Sequence, residues 1–232
     1  MGKAQTIRAG VTVMNAMLRV AFAPPCAACA SPLESPLDGC VCPRCWATID
    51  RPPHVPFPAG RITAAAAGGD YTGSLREIVH AFKYDGRRSL AAPLGALMRS
   101  HGRDILENAT CLVPVPLHPW RRVRRGFNQA TDLARTLDVP VVPILWRYRL
   151  TAAQAQLNAA ERLRNVRGAF ELSPFASRRQ RAALRGAIVV LIDDVRTTGA
   201  TLQASAEALD DLGVSEIRAL TAAVRAPEAG SL

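Results

Sequence analysis

The chain has 232 residues, 49% of them hydrophobic, and a formal net charge of +10; of its 29 basic side chains only Lys3 and Lys83 are lysine. That length holds one sizeable α/β domain plus a small appendage. No apolar stretch approaches the roughly 20 residues of a membrane span, so no membrane insertion is expected. The positive balance favours anionic partners, phosphorylated metabolites or nucleic acid, without choosing between them.

From the N-terminus, Lys3 and Arg8 precede an apolar stretch from Val11 to Ala23 that ends in Ala21-Phe22-Ala23, a small-residue pattern like a leader cleavage site. Asn15 and Arg19 interrupt it, and Val13, Met17 and Val20 fall on one helical face. A short amphipathic helix packed on the body of a cytoplasmic protein is expected. Five of the six cysteines then crowd into twenty residues, and Cys26-Ala-Ala-Cys29 and Cys42-Pro-Arg-Cys45 form two C-x₂-C knuckles. Paired knuckles bring four soft ligands together at little loop entropy, which predicts a structural zinc ribbon on Cys26, Cys29, Cys42 and Cys45. Cys40 could replace one member of that set; Cys42 and Cys45 are favoured because they keep the C-x₂-C spacing. Cys111 opens an apolar run and reads as a small buried residue.

Residues 51–62, with Pro52, Pro53, Pro56 and Pro58, read as a stiff linker. Residues 63–71 read as a first strand. Leu75, Ile78, Val79 and Phe82 then fall at helical spacing, with Ser74 as N-cap and Gly86 as terminator. A helix over 90–100 follows. Cys111 to Pro116 reads as a strand ending in a rigid turn. The run Arg121-Arg122-Val123-Arg124-Arg125-Gly126 is then expected as a cationic loop before a helix over 128–137. Such a loop suits a pyrophosphate, and the alternative is a basic surface patch or a nucleic-acid contact. Residues 139–144 are expected extended. Residues 151–170, too polar for a core helix, suit a flap over a site, and 173–185 read as an arginine-rich connector.

Val189-Val190-Leu191-Ile192-Asp193-Asp194-Val195-Arg196-Thr197-Thr198-Gly199-Ala200-Thr201 carries the most information. Uninterrupted apolar, β-branched residues suit a parallel strand buried on both faces. Two carboxylates end it at the C-terminal tip, where open α/β sheets bind ligands. Residues 197–201 then offer hydroxyls and successive N–H groups at a helix start, which suits a phosphate. A ribose 5-phosphate satisfies both ends. Leu202, Ala206, Leu209 and Leu212 make the apolar face of the following helix, with Gly213 as its C-cap, and 217–224 is the last strand. The alternation of strands and helices predicts a parallel sheet wound on both sides.

This run resembles the phosphoribosyl-pyrophosphate (PRPP) signature of type I phosphoribosyltransferases. The resemblance implies that Asp193 and Asp194 take the ribose hydroxyls and that Thr197, Thr198, Gly199 and Thr201 take the 5′-phosphate, with Val195, Arg196 and Ala200 in the same ribose- and phosphate-binding run. Arg196 departs from the pattern, where an apolar residue is more usual; it could add charge to the phosphate site or point to solvent. The whole chain after about residue 20 is similar to the ComF family of competence proteins, a zinc ribbon followed by a phosphoribosyltransferase-type domain. The likeness rests on the paired knuckles, Phe82-Lys83-Tyr84-Asp85-Gly86, Val113-Pro114-Val115-Pro116-Leu117, Arg125-Gly126-Phe127-Asn128-Gln129, Thr151 with Gln154, Arg162 through Phe170, and the signature strand. It implies an α/β fold with a helix and ribbon over 1–50, a linker over 51–62, a transferase-type domain over 63–226 and a tail over 227–232. It also implies a pyrophosphate loop of Val115, Pro116, Leu117, Arg124, Arg125 and Gly126, and a flap carrying Gln154, Arg162 and Asn165. The implied role is in natural transformation, with PRPP or a related phosphorylated ligand held with Mg²⁺, and single-stranded DNA and DNA-uptake proteins as partners. The alternative is an active transferase moving phosphoribosyl from PRPP to an acceptor that Lys83, Tyr84 and Asp85 could help to line.

Overall fold

A computed structural model describes residues 11–18, 20–21, 24–52, 55–57, 60–148 and 168–226. The expected flap residues Gln154, Arg162 and Asn165 and the expected tail 227–232 lie outside the described residues. Two compact units divide the chain, Met1–Asp50 with Thr72–Leu90 and Arg51–Tyr71 with Ala91–Leu232. The first thus includes residues 72–90, which the sequence reading gave to the main domain.

In the first unit, residues 11–18 are helical, but the face expected to pack is exposed: Val13 is 54% and Met17 60% accessible. Asn15 is buried instead, because its Oδ1 accepts the Leu37 N–H at 2.9 Å and a polar contact anchors the helix. Helix α1 (Pro43–Ala47) starts on a proline that has no N–H to lose there. Helix α2 (Gly73–Tyr84) buries Leu75, Ile78, Val79 and Phe82, the face its spacing predicts. Its N-cap is Thr72, not Ser74; the Ser74 hydroxyl lies 2.9 Å from that of Thr48. Asp85 closes the helix, and Gly86 follows at φ 65°.

The second unit is built on a four-stranded parallel sheet in the order β1 (Ile62–Asp70), β6 (Glu216–Val224), β5 (Ile188–Arg196), β2 (Cys111–Pro114). β5 lies between two neighbours, and Val189, Val190, Leu191 and Ile192 are fully buried, as an apolar run covered on both faces requires. Helices α3 (Ala91–His101), α4 (Arg103–Leu106), α5 (Pro119–Arg125), α6 (Gln129–Ala134), α7 (Arg178–Ala182) and α8 (Ala200–Glu207) connect the strands. A two-stranded antiparallel ribbon, β3 (Leu145–Arg147) with β4 (Phe170–Leu172), sits outside the main sheet. Three expectations are corrected. The cationic loop is mostly the helix α5, begun by Pro119 and by the His118 Nδ1, which accepts the Trp120 N–H at 3.2 Å. The arginine-rich connector contains α7, whose Ser177 and Gln180 form a reciprocal capping box. The helix after the signature ends at Glu207, and a 3₁₀ turn over Asp210–Leu212 leads to Gly213 in the left-handed region.

Candidate functional site

The cysteine knuckles come first in the chain. Cys26 N–H donates to Ser31 O and Ala30 N–H to Cys26 O, closing the turn that carries Cys26 and Cys29. The sulfurs of Cys26, Cys29, Cys42 and Cys45 all lie within 4.8 Å of one another, and the Cys26–Cys45 and Cys29–Cys42 pairs are each 3.9 Å apart. A tetrahedron with metal–sulfur bonds of about 2.3 Å has edges of about 3.8 Å, so the four thiols fit a zinc ion. Cys40 is not part of this cluster; its carbonyl accepts the Ala27 N–H at 2.7 Å. The backbone N–H groups of Ala28 and Cys42 donate to the Cys26 sulfur at 3.4 and 3.3 Å. Burial pushes the Cys26 thiol up, but such N–H donors outweigh it and hold the group below its ordinary value. Hydrogen bonds from Ser31 hold Cys29 at about 6, whereas burial pushes Cys45 up to about 12. Zinc held by these four thiolates would supply cross-linking in place of a large core.

The second cluster forms at the C-terminal ends of β2 and β5. Their parallel register pairs Pro114 with Ile192, and the Val115 N–H donates to the Ile192 carbonyl at 2.9 Å. Val115, the first residue of the expected pyrophosphate loop, therefore stands level with Asp193, the first of the acidic pair. Along β5 side chains alternate, so Asp193 and Val195 share the half-exposed face while Asp194 and Arg196 share the buried one. Asp193 Oδ1 accepts the Asp194 N–H at 2.8 Å, which fixes the first carboxylate at the tip. The chain then turns through Thr197 and Thr198 to Gly199, which sits at φ 78° as the N-cap of α8. A left-handed residue at this turn is what glycine permits without steric cost. Thr198 Oγ1 accepts the Ala200 N–H at 3.4 Å, and Thr197, Thr198 and Thr201 are half-buried. Two carboxylates thus stand beside a turn of small, hydroxylated residues that opens a helix.

The Arg196 side chain goes to neither place the sequence allowed. It is buried, its Nη2 donating to the Val55 carbonyl at 2.9 Å and Nη1 to the Pro56 carbonyl at 3.5 Å, and its guanidinium carbon lies 5.2 Å from the centre of the Phe57 ring. Asn128, read from the sequence only as the start of a helix, has a second role. Its Oδ1 caps α6 by accepting the Ala130 N–H at 3.2 Å, and its Nδ2 donates to the Val115 carbonyl at 3.0 Å. An asparagine one residue before an apolar helix was the available signal for the cap; the contact with Val115 had none. Arg125, at the end of α5, donates from Nη1 to Gln129 Oε1 at 3.4 Å, and Gly126 closes α5 at φ 75°.

Comparison with known proteins identifies relatives over most of the chain. Competence protein F of Haemophilus influenzae is 34% identical over 160 residues, covering 65% of this chain and 68% of its own length. DNA utilization protein YhgH of Salmonella typhimurium is 31% identical over 214 residues, 83% of this chain and 87% of its own. The chain belongs to the ComF family. Competence protein ComFC of Bacillus subtilis is 31% identical over 62% of this chain and 56% of its own. Residues 123–230 match the phosphoribosyl transferase domain family, which takes in β5, the acidic pair and the turn into α8 of this ComF protein. Among solved structures, an orotate phosphoribosyltransferase from Aeropyrum pernix aligns over 66% of this chain and 78% of its own, at 16% identity and a TM-score of 0.34. The parallel sheet flanked by helices, with four clustered cysteines near the N-terminus, is the fold class the sequence predicts. Among the described residues no helix is long and apolar enough to cross a membrane.

Proposed function

We propose that the tip of β5 and the turn into α8 bind PRPP with Mg²⁺, in a protein that serves the uptake or use of DNA. The observation that carries the site reading is the placement of Asp193 and Asp194 directly before the left-handed Gly199 turn of α8. Asp193 and Asp194 meet the ribose hydroxyls, and the N–H and hydroxyl groups of Thr197 to Thr201 meet the 5′-phosphate. Val115 to Leu117, beside the acidic pair, receive the pyrophosphate, with Arg124, Arg125 and Gly126 following them. Magnesium enters through the ligand's phosphate oxygens, as it usually does, and supplies charge neutralisation there.

The DNA part of the reading is supported by the names of the relatives, Competence protein F and DNA utilization protein, and by exposed cationic surface. Arg178, Arg179, Arg181 and Arg185 are all exposed on and after α7, and Phe175, 82% accessible, stands just before them. Trp120 is 63% accessible on α5 beside exposed Arg122. Cations that track a backbone, interleaved with rings that stack on bases, are what single-strand binding uses. Fluorescence anisotropy with a labelled oligothymidylate tests it: affinity falling steeply with salt and insensitive to sequence supports the reading. Salt-independent binding or none removes the DNA part. A thermal melt with PRPP and Mg²⁺ tests the other part, since a ligand that binds only the folded state raises the midpoint.

A further inference from the structure

The segment after the cysteine knuckles was expected to be a linker, yet it is fastened to the elements on either side of the candidate phosphate turn. At the end of β5, Val55 and Pro56 receive the two Arg196 hydrogen bonds, and Phe57, packed on the core, lies under the guanidinium. In α8, the Gln203 side chain lies so close against Gly60 that it occupies the space a Cβ there would need. Arg61 pairs with Asp210 in the 3₁₀ turn beyond α8. Residues 196, 203 and 210 recur every seven positions, and the strap contacts them in order. The turn 197–199 is held between the first two of these fastenings.

Arg196 is the fastening that adjoins the turn. Only 5% of it is accessible, burial pushes its pKa down, and among the described residues it is paired with carbonyl oxygens and a ring and with no carboxylate. A buried guanidinium that meets only dipoles, with its Nε lacking a hydrogen-bond partner among the described residues, costs desolvation and is weak evidence of a stabilising device. Its planar fork does, however, fix two carbonyls and a ring in one orientation, which an ammonium cannot reproduce.

We infer that Arg196 is a positioning residue: with a strap made of residues 55–57 and 60–61 it holds the 197–199 turn in its ligand-ready shape, so that strap and turn order each other. The inference rests on the PRPP reading for the identity of the ligand, though not for the existence of the brace. By linkage, a brace that improves ligand binding by some factor is itself tightened by the ligand by the same factor.

The test is hydrogen–deuterium exchange on the full-length zinc-loaded protein, comparing wild type with Arg196→Leu, Arg196→Lys and Phe57→Leu, each with and without PRPP and Mg²⁺. Phe57→Leu keeps apolar bulk and removes only the ring face, and it carries the test where Arg196→Leu does not fold. Without ligand, the brace predicts that amides of residues 198–201 exchange at least tenfold faster in Arg196→Leu and severalfold faster in Phe57→Leu, while amides of β6 are unchanged. Arg196→Lys, which keeps the charge without the fork, is expected to resemble Leu more than wild type. With ligand, the wild-type amides of Val55 and Phe57 gain protection, and the variants bind at least tenfold more weakly. Turn exchange within twofold of wild type in every variant overturns the brace, and so does an equal rise in β6, which marks general loss of stability. If wild type binds no PRPP, the PRPP reading fails while the ligand-free comparison still decides the brace.

Discussion

Replacing Cys45 by alanine is the sharpest perturbation of the N-terminal unit. The buried Cys45 sulfur lies 3.9 Å from that of Cys26, and all four sulfurs already stand close to tetrahedral spacing. Structural zinc in small peptide sites contributes about 10–16 kcal/mol, so one ligand in four corresponds to about 3–4 kcal/mol, a few hundredfold in affinity. The whole contribution is as large as the net stability of an ordinary domain. Cys45→Ala is therefore expected to weaken zinc a few hundredfold in competition with a chromophoric chelator, and Cys40→Ala to leave affinity within about threefold of wild type. Complete chelation is expected to unfold this unit, read by the emission of Trp46, which adjoins Cys45 in α1. Unchanged zinc affinity in Cys45→Ala, or a loss in Cys40→Ala as large as in Cys45→Ala, would refute the assignment of the ligand set.

Three further outcomes follow from the second unit. Gly199→Ala forces a side chain into φ 78° and is expected to lower stability by about 1–2 kcal/mol, measured by urea titration of the melt. Asn128→Asp keeps the α6 cap but turns the Val115 contact into a meeting of two acceptors, so it is expected to cost more stability than the loss of one hydrogen bond, about 1 kcal/mol; a neutral result would remove the role of Asn128 at Val115. Burial pushes the Cys111 thiol up to about 11, so the folded state keeps its proton where the unfolded chain has lost it. Stability from this group is full below about pH 9 and is lost as pH rises toward 11, by roughly 2 kcal/mol; Cys111→Ala is expected to flatten that limb of the pH–stability curve.

Local chemistry was the readable part of the sequence. The knuckles were visible because metal ligation constrains spacing directly, and β5 because a strand buried on both faces admits no polar residue until its tip. The α2 face was visible from its 3.6 period. What was hidden depends on partners distant in the chain. Nothing near Arg196 announces that residues 55–57, some 140 positions earlier, supply its acceptors. Asn15 replaced the apolar face of its helix because one backbone N–H at Leu37 needed an acceptor. The helix α5 was obscured by its own arginines, whose charge suggested a loop although arginine is a good helix former and Pro119 and His118 begin a helix.

The central claim is that the tip of β5 holds PRPP. Calorimetric titration of PRPP with Mg²⁺ into zinc-loaded protein, beside the Asp193→Asn/Asp194→Asn double variant, tests it most directly. The account predicts saturable binding near one equivalent that the double variant loses by tenfold or more at an unchanged melting temperature. Absence of binding by well-folded wild type, or equal binding by the double variant, would contradict it.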